Sequence, residues 1–448
     1  MLGGIPRPLS LRAFAVAIVI ATAALAFAVP GRAGSAPKTN RVSVDSSGAQ
    51  ATGGASYRPA LSASGRFVAF YSSATDLVSG DTNGQPDVFV RDLKTGKTKR
   101  VSVDSSGAQA LGGASYNPSI SADGRFVAFD SGANLVGGDS NGQTDVFVRD
   151  LEKHTTKRVS VDSSGVQALG GGSYRPSISA DGRFIAFSSD ATNLVGGDSN
   201  GLTDVFVRDL KTGKTKRVSV NSSGAQALGG GTYSPSISAD GHLVAFYSDA
   251  TNLVGGDSNA LTDVFVRDLA KHKTKRINVN SSGAQALGNA SYNPSISADG
   301  RFVTFQSYAN NLVPDDTNAV GDIFLRDLKT HKTTRVSVTS HGDQANDSSF
   351  FVDPAISANG RFVTFISVAT NLSPQATDTY EDDFVHDRKT GKTKLLSVND
   401  AGLDGNSYSF DPAISADGRW VAFPSDATNL VGGDTNTYSD IFVRGPLR

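Results

Sequence analysis

The sequence predicts an all-β protein, a seven-bladed β-propeller closed by donation of an N-terminal strand to the last blade. Three observations carry that expectation. A segment of nearly constant length is copied seven times, the residue balance favours turns over helices, and the two termini are out of phase with the repeat by one strand.

The repeat is registered by RVSV, at Arg41, Arg100, Arg158, Arg217, Arg276, Arg335 and, as LLSV, at Leu395, with spacings of 59, 58, 59, 59, 59 and 60 residues. A fixed period of this size marks one supersecondary unit stacked on its neighbours. The residue balance fits: all but two of the 43 acidic residues are aspartates, the exceptions being Glu152 and Glu381, and 48 glycines accompany them. Asp, Asn, Ser and Gly settle in turns and strand ends, whereas Glu favours helices.

Each unit divides into four strands. The first lies around Ile120 in Ser119-Ile120-Ser121 and is flanked by polar residues. The second and third, Phe126 to Phe129 and Val146 to Val148, are apolar without alternation, so both of their faces are covered. The fourth, Arg158 to Val161, alternates and is half exposed. DG turns such as Asp123-Gly124 join the first pair, and TG turns such as Thr212-Gly213 join the last. Buried middle strands between a polar inner and a half-polar outer strand make a propeller blade.

The termini select a ring over an open stack. Residues 41–44 read as a spare fourth strand, and the chain ends after a third strand, Ile441 to Arg444. Donating the first to the second pairs every blade and leaves no bare sheet edge, with Val42 and Val44 pointing inward. Residues 37–448 are therefore one seven-bladed domain. Residues 1–36 read as a secretory signal: Arg7 and Arg12 precede the apolar run from Ala13 to Val29, and small residues offer cleavage between 28 and 36. The expected location is secreted or cell-envelope, outside the cytoplasm, with no stable membrane insertion after cleavage.

Units of the form PSISADGRFVAF followed by DVFVRDL and a TG turn resemble the WD40-like propeller repeats, PD40 repeats, of the TolB propeller and related exported proteins. The resemblance covers about 41–444. It implies the propeller fold, and it leaves function open among binding proteins, peptidase accessory domains and polysaccharide lyases. No α/β-hydrolase segment with a GxSxG elbow and no N-terminal α/β domain is expected beside the repeats.

Composition excludes several functions. With no cysteine there is no disulfide framework, thiolate metal site or cysteine nucleophile. A net charge of −1 argues against holding nucleic acid by bulk charge. Long loops, on one face, carry Asp81, Asp139, Asp198, Asp257, Asp316 and Asp434, and short turns on the other carry lysines such as Lys94, Lys97 and Lys99. A basic face opposite an acidic one is expected, with the long-loop face as the working face.

Two motifs are candidate sites. The first is D(T/S)N(G/A)xxD: Asp81, Asn83, Asp87; Asp139, Asn141, Asp145; Asp198, Asn200, Asp204; Asp257, Asn259, Asp263; Asp316, Asn318, Asp322; and Asp434, Asn436, Asp440. Oxygens at positions 1, 3 and 7 around a tight turn suit calcium, although the same residues also make side-chain-to-backbone turns. The sixth copy, with Ala376 and Asp378 in place of Asp and Asn, should be the weakest. The second is a ring of aromatics two before each inner-strand proline: Tyr57, Tyr116, Tyr174, Tyr233, Tyr292, Val352 in the one non-aromatic copy, and Phe410. Beside them stand the variable residues Arg58, Asn117, Arg175, Ser234, Asn293, Asp353 and Asp411. Rings can stack on sugars or clamp a peptide, or fill the gap between blades. Variation inside a copied ring is where an asymmetric ligand would be read.

Catalysis is the less favoured reading. The six histidines fall mostly on turns of different blades, with His386, near Glu381, Asp382 and Asp383, the one irregular cluster. The expectation is a monomeric, calcium-stabilised binding or scaffold propeller for a glycan or protein partner. A polysaccharide lyase or hydrolase and a TolB-like envelope interaction protein are the alternatives.

Overall fold

A computed structural model describes residues 36–349 and 353–447. The export-signal reading falls on 1–36, of which all but residue 36 lies outside the described residues, as does Val352 of the aromatic ring.

The described residues form seven four-stranded antiparallel sheets and no helix. Blades 1 to 6 run in sequence order over 56–100, 115–158, 173–217, 232–276, 291–335 and 355–395. Blade 7 takes its three inner strands from 413–445 and its outer one from Lys38–Arg41, which pairs with Asp440–Gly445. The predicted closure is thus observed.

Two strand positions differ from the sequence reading. The outer strand is KTKR rather than RVSV, ending at Arg41, Arg100 or Arg158 where it was expected to begin. Its threonine turns inward and is buried: Thr98 Oγ1 donates to the Val44 carbonyl of the preceding outer segment. The apolar VSV that follows keeps one ladder bond, Val101 N–H to the Val88 carbonyl, and then turns back on itself through Val103 N–H to the Val101 carbonyl. Val42 and Val44 are nevertheless buried, as expected. In blades 1 to 5 the inner strand is longer than expected, as in Ser115–Ile120, where its register slips between Tyr116 and Ser119; in blades 6 and 7 it is Ala355–Ile356 and Ala413–Ile414.

Hydrophobic burial lies between blades rather than within them. Each blade contributes a cross-strand phenylalanine pair, such as Phe70 on Phe89 at 5.9 Å, and such pairs pack on the valines of the blade before. Seven such clusters close the circle, and the one joining blades 7 and 1 contains Val42, Phe70, Phe89 and Ile441. At the short-turn end the backbones form a second circle. Ala63 N–H donates to Ala122, Ala122 to Ala180, Ala180 to Ala239, and Ala239 to Ala298; Asp299 continues to Ala358, Ala358 to Ala416, and Asp417 returns to Ala63. Gly124 shows why the turn needs glycine: its φ is +78°, and a Cβ would strike the Phe67 ring of the neighbouring blade.

Candidate functional site

The inner strands converge on a cavity of about 300 Å³ lined by residues of all seven blades. The register slip builds it. A proline follows each variable residue, cannot donate to the ladder, and in six copies the preceding residue adopts left-handed backbone: Arg58, Asn117, Arg175, Ser234, Asn293 and Asp411 have φ between 43° and 52°. Five of these, all but Asn293, line the cavity, together with Asp353. A non-glycine residue held there costs about 1–3 kcal/mol and persists only where its surroundings impose it.

The charges in this cavity are unevenly placed. Arg58 and Arg175 each approach the Asp353 carboxylate at 3.9 Å, and Arg175 also donates to Ser234 Oγ at 2.7 Å. Behind them Asp130, 2 % exposed, accepts from Asn117 Nδ2 at 2.8 Å and from the Arg175 N–H at 2.9 Å. Burial raises the pKa of Asp130 and Asp411, with Asn117 and Arg58 respectively opposing it most strongly. Burial works against the charge of Arg58, but Asp411 and Asp353 outweigh it and hold its pKa above the usual value.

The aromatic ring separates from this cavity. Tyr57 and Tyr116 both pack on Tyr71, and Tyr233 and Tyr292 both pack on Tyr247, at 5.1 to 5.7 Å. Phe410 stacks on Tyr408, which meets Tyr380 edge-on at 4.9 Å. These rings fill spaces between strands, while Tyr116, Tyr174, Tyr380 and Tyr408 keep more than a third of their surface exposed.

The D(T/S)N(G/A)xxD loops fold as compact corners. In blade 1 Asp81 and Asp87 come together, as the motif requires, around the Arg100 guanidinium at 3.2 and 3.1 Å. Arg158, Arg217, Arg276, Arg335 and Arg41 hold the equivalent pairs at 2.9 to 3.7 Å. Each asparagine is engaged at both ends: Asn83 Oδ1 accepts from the Gln85 N–H, and Nδ2 donates to the Ala110 carbonyl of the next loop. Asn141, Asn200, Asn259, Asn318 and Asn436 make the same bond to that loop. Burial raises Asp145, Asp204, Asp322 and Asp440, and a serine hydroxyl and the arginine oppose it.

The expected acidic face is corrected by these corners. The first-position aspartates have side chains only 1 to 4 % exposed and each faces an arginine, so they lend the long-loop face little free charge. The irregular His386 cluster also comes apart. Its ring bonds Thr393 Oγ1 at 2.9 Å, and its charged neighbours are Arg388 and Asp387. Sequence reasoning missed the arginine of each corner, although it was the residue used to register the repeats.

Comparison with known proteins extends this description only as far as fold. No protein-family model matches the chain, and no curated protein matches it. Acylaminoacyl peptidase from Pyrococcus horikoshii superposes with a TM-score of 0.51 at 11 % identity, covering 89 % of this chain and 52 % of that one. A prolyl endopeptidase structure gives 0.51 at 12 %, covering 89 % and 51 %. The likeness is one of fold. TolB from Acinetobacter baumannii is also among the similar structures, at 15 % identity and a TM-score of 0.41, covering 76 % of this chain and 62 % of that one. The chain thus spans about half the length of the two peptidases and under two thirds of that TolB.

Proposed function

We propose that this protein is an exported binding propeller that takes a polar, charged segment of a glycan or protein partner at the mouth of its central cavity. The observation that carries the reading is the set of strained, non-identical residues around that mouth. Glycine would adopt the same backbone without strain, yet the copies hold Arg58, Asn117, Arg175, Ser234 and Asp411. A ring of identical proline anchors thus presents different side chains, with two guanidiniums and two carboxylates facing one space. Such a surface suits one asymmetric ligand better than a symmetric one. The half-exposed Tyr116 and Tyr174, each next in sequence to a lining residue, add flat contact area of the kind that packs on sugar rings or peptide side chains. The apolar N-terminal run supports a place outside the cytoplasm, and a monomer suffices because the ring closes on itself.

The test is a binding screen against acidic and neutral glycans and against envelope proteins, with and without calcium, followed by Arg58→Ala with Arg175→Ala. Losing both guanidiniums should weaken the selected ligand at least tenfold while the melting temperature stays near that of the parent. Unchanged affinity would remove the cavity from the binding surface. A second reading, hydrolase or lyase, is favoured by one observation: Asp353 and Asp411 line the same cavity, and burial raises Asp411 in the direction a general acid needs. Turnover of a selected polysaccharide, abolished by Asp411→Asn, would decide for it.

A further inference from the structure

Blade 6 lacks the cation that closes the corresponding corner of every other blade. Leu395 stands where blade 1 has Arg100, Asp404 where it has Gln109, Asp378 where it has Asn83, and Ala376 where it has Asp81. The corner therefore exchanges an arginine for an additional acid. One carboxylate oxygen from each of Asp378, Asp382 and Asp404 lies within 4.8 Å of the other two.

The second sign is independent of that clustering. Both carboxylate oxygens of Asp404 are sealed from solvent and accept no well-formed hydrogen bond, with only the Gly405 and Thr377 N–H groups beside them. Asp382 is 3 % exposed, and its hydrogen-bond donor is Ser397 Oγ, at 2.7 Å to Oδ1. Buried carboxylates short of donors are costly unless a positive charge or a proton meets them. In the six sister corners a guanidinium does so from the residue that is leucine here.

We propose that Asp378, Asp382 and Asp404 bind one divalent cation of the calcium class, which replaces the missing arginine as the counter-charge of blade 6. The donors are all oxygen, which selects a hard cation over zinc or copper. Two of them, Asp378 and Asp404, come from loops and one, Asp382, from the start of a strand. A loop-borne site adapts to the larger calcium ion better than to magnesium, which demands a tight octahedron. The ion would tie the loop before the third strand to the loop that leaves the blade. Tyr380 would be fixed with it, since its N–H already donates to Asp378 Oδ1 at 2.9 Å. This inverts the expectation that the sixth copy is the weakest calcium site, and it does not depend on the cavity-mouth reading.

The alternative occupant is a proton. Burial, joined by the neighbouring carboxylates, raises both Asp382 and Asp404, so an ion-free corner can hold a shared proton.

The experiment uses the full mature chain stripped with chelator, with terbium as a luminescent probe excited through tyrosine and calcium chloride as competitor. Saturable emission at one terbium per chain is expected, displaced by calcium and poorly by magnesium, together with a melting temperature that rises with free calcium. Leu395→Arg with Asp404→Gln rewrites the corner in the pattern of its sisters. It should abolish both responses and melt cooperatively in chelator. Should that variant fail to fold, Asp404→Asn must weaken terbium at least tenfold. Absence of emission together with a calcium-independent melting temperature in the parent would mean a shared proton only, and would overturn the site. So would a response that survives the rewriting, survives Asp404→Asn, or is lost in Asp198→Ala with Asp204→Ala.

Discussion

Blades 1 and 6 share a strand order and a stacked phenylalanine pair, at 5.9 and 5.8 Å, yet their outer corners differ in charge. In blade 1 two aspartates enclose an arginine and a glutamine braces it, Arg100 donating to Gln109 Oε1 at 2.6 Å. In blade 6 three aspartates cluster together and a leucine stands at the arginine's position. A second departure lies one residue along: Asp383, fully buried, has both oxygens unpaired where blade 1 has Val88. Copied architecture is therefore maintained by apolar burial, which tolerates these exchanges. The electrostatics of each corner are set locally and can be reassigned one blade at a time.

The largest expected effect concerns what both kinds of blade rely on. Deleting 37–46 removes the strand that completes blade 7, the arginine of its corner, and Val42 and Val44, each worth about 1.5–3 kcal/mol of burial. Thermal unfolding should shift down sharply and lose cooperativity, and an unchanged melting temperature would refute ring closure. Next, Arg217→Leu gives blade 3 the residue found in blade 6 without its other changes. Asp198 and Asp204 are then buried together without a counter-charge, a loss of about 3–5 kcal/mol, to be read from urea unfolding. A loss below about 1 kcal/mol would mean that the arginine is dispensable to the corner.

The reverse exchange, Asp383→Val, returns to blade 6 the residue of blade 1. Relief of an unpaired buried carboxyl should stabilise by about 1–3 kcal/mol at neutral pH, and a destabilised variant would show that Asp383 has a partner in solution. The smallest effect concerns a feature shared by blades 1 and 6, the bidentate Arg66–Asp92 and Arg361–Asp387 pairs, repeated in blade 2 as Arg125–Asp150. The arginine lowers Asp150 and Asp387 to about 2. A depressed folded-state pKa gives stability that is present above about pH 4 and is lost as the pH falls towards 2. Arg125→Ala should flatten that acid limb only slightly, because water screens a pair at the surface. An acid limb identical to the parent's would assign the pair no role.

Much of the fold was legible because repetition averages out local ambiguity: seven copies of one apolar pattern, and termini displaced by one strand, leave few topologies. The outer strand was misplaced for a physical reason. RVSV looks more strand-like than KTKR, but there the ladder runs through the threonine while the valines turn into the core. The variable ring was legible as positions, yet its left-handed backbone was not, since arginine and serine seldom adopt that conformation and a following proline favours extended backbone instead. The corners were half legible. Asp81, Asn83 and Asp87 stood out as a motif, while Arg100 was treated as a register mark. The signal was available, because the copy that loses the arginine is also the copy that loses Asp81 and Gln109.

Ring closure by Lys38–Arg41 has a further consequence for how the chain must assemble. Arg444 donates to Thr39 Oγ1 across 405 residues of sequence, whereas the other outer strands pair with a strand that immediately precedes them. Joining ends that far apart adds about 2 kcal/mol of chain entropy over joining ends 50 residues apart. It cannot begin before the last strand exists. Synthesis therefore delivers the first strand hundreds of residues before its mate, a far more distant pairing than any within a single blade. The contact that locks the structure is thus the last one that can form.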